Sequence, residues 1–157
     1  MPNLTRNGFC KQLSETLQDL AMITIRTAKP SDIPELLVLL KELFSIEADF
    51  DFDPEKQACG LNLLLNSEKD CILVAERLTD NRVLGMCTAQ TLISTTEGGP
   101  VGLLEDLVVA ADFRHQGMGA KLLAEALNAC SYWRIKITRR LYVFMRNKAG
   151  NRRSWFV

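Results

Sequence analysis

The run Val101–Leu127, VGLLEDLVVAADFRHQGMGAKLLAEAL, constrains the chain more than any other segment. An apolar, strand-like stretch from Leu103 to Val109 leads into Arg114-His115-Gln116-Gly117-Met118-Gly119-Ala120, and a helical pattern begins at once. A strand, a glycine-bearing turn and a helix start form an anion cradle. The first N–H groups of a helix have no carbonyl partner, and the helix dipole adds partial positive charge there. Glycines at 117 and 119 let main chain approach a phosphate with no Cβ between them. Two better-known glycine loops do not fit. No G-x-x-x-x-G-K-[ST] occurs. A dinucleotide fingerprint would need a third glycine where Leu122 stands, and an acidic residue about twenty positions further on, where there is none.

What remains is R-x-x-G-x-G on Arg114, Gly117 and Gly119, with Leu104-Glu105-Asp106-Leu107-Val108-Val109 ahead, Phe113 before the arginine and Met118-Gly119-Ala120-Lys121-Leu122-Leu123 behind. This segment resembles the GCN5-related N-acetyltransferase (GNAT) family, whose [QR]-x-x-G-x-[GA] motif binds the pyrophosphate of acetyl-coenzyme A. The competing reading is an ordinary strand–turn–helix connection with two convenient glycines.

A chain of 157 residues, 47% apolar and 24% charged, fits one domain with a sizeable core. No apolar run reaches the length of a membrane span, and no secretory signal is evident, so a cytoplasmic location is expected. Cys10, Cys59, Cys71, Cys87 and Cys130 are odd in number and show no CxxC spacing, which reads as free thiols in a reducing compartment. The one histidine, His115, lies in the glycine turn, so neither a Cys–His pair nor a metal site is expected. Net charge is zero, but up to Glu125 there are 11 basic and 19 acidic residues, and from Ala126 onward 8 basic and no acidic ones. That basic end suits nucleic acid, or acidic surface of the chain itself or of a second subunit in a homodimer. Without a nucleic-acid motif, nucleic acid is the disfavoured partner.

Residues 1–21 read as an N-terminal extension, with Leu13, Leu17 and Leu20 at helical spacing. Ile23-Thr24-Ile25-Arg26 alternates like a strand. Ser31 or Asp32 can cap a following helix whose stripe is Ile33, Leu36, Leu37, Leu40, Leu43 and Phe44. Glu47 to Glu55 forms an acidic loop with Phe50 and Phe52, followed by a helix through Leu61 to Leu65. Strands are expected at Cys71–Glu76, Val83–Ser94 and Val101–Val109, joined by turns at Thr79-Asp80-Asn81 and Gly98-Gly99-Pro100. A helix from Gly117 to about Cys130, with Met118, Leu122, Leu123, Ala126 and Leu127 inward, precedes a strand at Leu141–Met145. This order matches the acyl-CoA N-acyltransferase fold of the family, a mixed, mainly antiparallel α/β sheet flanked by helices, over residues 22–157. In that fold the coenzyme lies in a splay between the fourth and fifth strands.

The resemblance implies an acyltransferase moving an acetyl group from acetyl-coenzyme A to a primary amine, by direct attack in a ternary complex. The backbone of Leu107, Val108 and Val109 would face the pantetheine arm and thioester. The turn Arg114, His115, Gln116, Gly117, Met118, Gly119 and Ala120 would hold the pyrophosphate, mainly through N–H groups; Arg114 adds charge, and His115 is either a phosphate contact or simply exposed. Glu105 and Asp106 are the general-base candidates. Adjacent strand residues point to opposite faces, so only one is expected to face the amine. Glu105 is favoured, directly or through a water, with Asp106 orienting substrate; the alternative is that both are structural. The acidic loop lies where relatives shape the acceptor pocket. It favours a small cationic amine or polyamine, although a solvated loop with two anchoring aromatics fits equally; an antibiotic and a protein amine are the other acceptor classes.

Two departures accompany the resemblance. Ala111 stands where the family commonly has proline. The family also continues through N-x-x-A-x-x-x-Y, whose tyrosine protonates the departing thiolate, whereas Asn151–Val157 resembles only the start of that segment. The C-terminal part is therefore expected to be incomplete or altered, the string SYWRIKITRR being a mark of alteration. A catalytically impaired acetyl-coenzyme A-binding or regulatory protein is the alternative function.

Overall fold

The computed structural model describes residues 22–46, 51–129 and 134–137. Five strands form one sheet in chain order: β1 (Ile23–Thr27), β2 (Cys71–Arg77), β3 (Arg82–Ser94), β4 (Gly99–Val109) and β5 (Arg134–Ile137). The first four are antiparallel neighbours, and β5 joins β4 in parallel. Helices α1 (Ile33–Ile46) and α2 (Pro54–Leu65) cover one face, and α3 (Met118–Ala129), the crossover from β4 to β5, covers the other. Among the described residues no helix is long and apolar enough to cross a membrane.

Two apolar layers result from the alternation of the central strands. Leu73, Ala75, Leu84, Cys87, Ala89 and Leu104 face α3, which answers with Met118, Leu122 and Ala126. Ile72, Val74, Met86 and Val108 face the other way, onto Leu36, Leu39, Leu40 and Phe44 of α1 and Leu61 of α2. Both faces of β2 and β3 are covered, which explains their nearly unbroken apolar sequences.

β1 is fastened by a buried ionic group. The Arg26 guanidinium donates to both oxygens of Glu76 on β2 (2.8 and 2.7 Å) and to both oxygens of Asp32 (2.7 and 3.1 Å). Asp32 ends a single 3-10 turn, Pro30–Asp32, and also accepts the Lys29 N–H at 2.8 Å. Thus Asp32 does more than begin a helix: it is 5% exposed and anchors β1 to the start of α1. Burial alone would push its carboxyl up, but Arg26 and the Lys29 N–H outweigh that and hold it below the usual range. Arg26 likewise holds Glu76 down against burial.

A bulge on β3 at Leu84 breaks the register with β2 between Ala75 and Glu76. Glu35 of α1 accepts the Val83 N–H there at 2.5 Å, and the Leu84 carbonyl accepts from Ala110 at 2.8 Å. One glycine is required by close approach. A Cβ on Gly85 would lie 3.0 Å from the Val108 carbonyl oxygen and 3.1 Å from Leu122 Cδ1.

The expected strands at 71–76, 83–94 and 101–109 and the helix after Gly117 are present within a few residues of their expected ends. The strand beside β4 differs from expectation. It is Arg134–Ile137, inside the basic string SYWRIKITRR, where Ile135 and Ile137 alternate with Arg134 and Lys136. The run Leu141–Met145, the extension 1–21 and most of the basic end lie outside the described residues.

Candidate active site

The site is built on an irregularity in β4. Between Met86 and Thr88 of β3 the register slips, so that Asp106 and Leu107 together oppose Cys87. Asp106 takes φ +49°, the left-handed region that Asp tolerates better than most residues. The ordinary alternation fails at this point, and two successive carboxylates share one face. Glu105 Oε2 accepts from Gln90 Nε2 at 3.1 Å, while Asp106 Oδ2 accepts from Thr88 Oγ1 at 3.4 Å. Thr88 and Gln90 are two apart on β3 and so lie on the same side of the sheet, beneath α1 and α2. The expectation that only one of Glu105 and Asp106 could face an acceptor is thereby corrected: the extra residue in β4 resets the period.

Before the bulge, Val101–Leu104 of β4 pair in parallel with Arg134–Ile137. Past it, Leu107, Val108 and Val109 run on with β3 as their one described strand neighbour. Their side chains are buried, Leu107 and Val109 under α3 and Val108 under α1.

The strand then enters the glycine turn. Ala111–Phe113 makes one 3-10 turn, and the Arg77 guanidinium lies over the Phe113 ring, 5.3 Å from its centroid. Arg114 folds back as a clamp. Its Nε donates to the Val109 carbonyl at 2.7 Å and its Nη2 to Glu42 of α1 at 2.9 Å. These bonds fix the turn to the end of β4 and to α1. Gln116 donates to the Asp112 carbonyl at 3.1 Å. His115, at φ +64°, is exposed.

Gly117, at φ +85°, caps α3, its carbonyl accepting from Lys121 at 3.1 Å. No atom lies within 4 Å of a Cβ built on it. The N–H groups of Gly117, Met118, Gly119 and Ala120 belong to the helix start, where the helix supplies no acceptor. A left-handed glycine facing open space at a helix N-terminus fits a diphosphate, which a side chain there would displace.

On the α1–α2 side, a cavity of about 340 Å³ opens over the bulge. Its floor includes Asp106 and Gln90; Leu40 and Phe44 of α1 and Leu61 and Leu64 of α2 form its walls. Asp53 caps α2, accepting the N–H groups of Glu55 and Lys56, and these bonds, Lys56 first, hold its carboxyl low. Phe52 packs edge-on to Phe44, 6.4 Å between centroids. Asp51 and Glu55 are exposed, and Glu47, Asp49 and Phe50 lie outside the described residues. Sequence reasoning missed Thr88 and Gln90. Their signal was present as two polar residues at strand spacing at the end of the otherwise apolar run Val83–Gln90.

A mixed α/β sheet, a bulged fourth strand and a glycine turn at the next helix are the features of an acetyltransferase fold. Comparison with known proteins gives the family: residues 35–152 match the acetyltransferase (GNAT) family, and the chain belongs to it. An uncharacterized N-acetyltransferase of Archaeoglobus fulgidus is 30% identical over 105 residues, covering 66% of this chain and 70% of the relative. Solved structures share the fold at lower identity. A predicted acetyltransferase with acetyl-CoA from Clostridium acetobutylicum aligns with TM-score 0.65 at 18% identity, over 87% of this chain and 95% of that one. Glucosamine-6-phosphate N-acetyltransferase from Arabidopsis thaliana aligns with TM-score 0.60 at 17% identity, over 86% and 95%. An aminoglycoside acetyltransferase from an uncultured soil metagenomic sample, in complex with sisomicin, aligns with TM-score 0.60 at 20% identity, over 87% and 93%.

Proposed function

We propose that the protein is an N-acetyltransferase that moves an acetyl group from acetyl-coenzyme A to a primary amine, by direct attack with both substrates bound. The observation that carries this reading is the continuity of three features along one strand: paired carboxylates at the bulge, the segment Leu107–Val109 whose side chains are all buried, and the glycine turn at its end.

Each part has a role. The N–H groups of Gly117, Met118, Gly119 and Ala120 hold the diphosphate. Leu107, Val108 and Val109 offer main-chain groups to the pantetheine arm. Arg114 positions the turn through Val109 and Glu42 rather than contacting phosphate. Gln116 does the same through Asp112, and His115 remains at the exposed edge of the turn. The donor, when bound, supplies an activated acetyl group. Glu105, oriented by Gln90, takes a proton from the incoming ammonium directly or through a water; Asp106 holds that ammonium near the sheet. Of the two protons the nitrogen loses, one leaves through Glu105 and one ends on the coenzyme sulfur as the carbon–sulfur bond breaks.

The test is a thermal-shift titration with acetyl-coenzyme A, followed by a thiol-release assay over a panel of amines. A Kd of about 10 µM at about 1 mM ligand adds about 2.7 kcal/mol of stability. A shift with thiol release supports the enzyme. A shift without release from any amine leaves a coenzyme-binding protein, and no shift contradicts both.

A further inference from the structure

The cavity over the bulge restricts the acceptor beyond its being an amine. Resting on the acetyl-transfer reading, we propose that the acceptor is an amphipathic monoamine, one ammonium on an apolar body, and not a polyamine. The volume, about 340 Å³, is near the lower end of the range for small-molecule sites, which runs from about 300 to 1,000 Å³. Among the described lining residues, Asp106 and Lys56 carry the charge. At the floor stands Asp106, with Glu105 bonded to the lining residue Gln90 beside it. At the other end stands Lys56, whose Nζ lies 3.5 Å from Asp53 Oδ2. Asp53 is thus engaged by Lys56 and by two N–H groups of α2.

Between these ends the walls are apolar, with Leu40, Phe44, Leu61, Leu63 and Leu64 on two helices. A polyamine would place its second and third ammonium groups against leucine and Lys56, losing hydration without a partner. A phenyl or alkyl body would remove the same surface from water. Leu63 is telling: it is 71% exposed on α2 yet lines the cavity, an apolar residue where a polyamine site would carry a carboxylate.

The inference is tested by direct binding of phenethylamine and spermidine to the full chain without donor, by calorimetry, so that the readout does not depend on acetyl transfer. Phenethylamine is expected to bind at least about tenfold more tightly. Leu63→Glu changes an exposed side chain, so folding is retained; it is expected to weaken phenethylamine and strengthen spermidine. Lys56→Glu is expected to strengthen spermidine about two- to fivefold. Tighter binding of spermidine by the unaltered protein, binding of neither probe, or indifference of both to Leu63→Glu would overturn the proposal. Phenethylamine binding by a chain that shows no acetyl-coenzyme A shift would support the cavity assignment and remove the enzyme reading. A donor shift with a preference for spermidine would do the reverse.

Discussion

Glu105 and Asp106 are adjacent on one strand, yet their carboxylates meet Gln90 and Thr88 on a single face of the sheet. The bulge in β4 makes this possible, and it turns two candidates for one role into a pair with separate tasks. Glu105→Gln is expected to lower kcat about 10²- to 10⁴-fold, the usual contribution of a positioned base, with little change in stability. Gln90→Leu should give a smaller loss and shift the pH profile of kcat/KM, because it disturbs only the orientation of Glu105. Steady-state thiol release across pH checks both.

The turn at residue 117 should tolerate a side chain structurally but not functionally. Gly117→Leu puts an L-residue at φ +85°, costing about 1–2 kcal/mol, and its Cβ meets no atom of the described residues within 4 Å. The variant should fold, as circular dichroism can show, and should lose the acetyl-coenzyme A shift.

Gly85 should behave in the opposite way. Gly85→Ala places a Cβ against the Val108 carbonyl and Leu122, neither of which can move without disturbing β4 or α3. A loss of about 1–3 kcal/mol in urea unfolding is expected, the usual cost of overpacking. Weaker acetyl-coenzyme A binding should accompany it, since Val108 belongs to the segment proposed to face the pantetheine arm.

The Arg26 group sets a pH dependence with a definite sign. Asp32 and Glu76 titrate lower in the folded chain than their ordinary values of 3.8 and 4.5. A depressed carboxyl stabilises the fold at pH above its unfolded value, and that contribution is lost as pH falls through the folded value. Stability should therefore be level above about pH 5.5 and decline as pH falls below about 4.5. Arg26→Leu leaves two buried carboxylates unpaired, at a cost of about 3–5 kcal/mol near neutrality. Its deficit should narrow on acidification, as urea titrations at pH 7 and pH 4 can show.

Much of this fold was legible because β2, β3, β4 and α3 carry strong local patterns: Ile72–Ala75 and Val83–Ala89 are buried on both faces, and Met118, Leu122 and Ala126 repeat every four residues. The turn before α3 was legible because Gly117 has a conformational reason to be glycine. The bulge was not. Nothing in Leu104-Glu105-Asp106-Leu107 announces an extra residue, since its cause is the register with β3. The tie between Arg114 and Glu42 was not legible either, because the two are 72 residues apart. Asp53, read within an acidic loop, is a helix cap whose clue was Pro54 after it. The strand Arg134–Ile137 was hidden by the basic residues around its two isoleucines.

The most direct measurement is the melting temperature of the unaltered protein and of Gly117→Leu, each with and without about 1 mM acetyl-coenzyme A. A rise for the first and none for the second is the expected result. Equal rises in both, or a flat response from the unaltered chain, would contradict the assignment of the donor to the turn that begins α3.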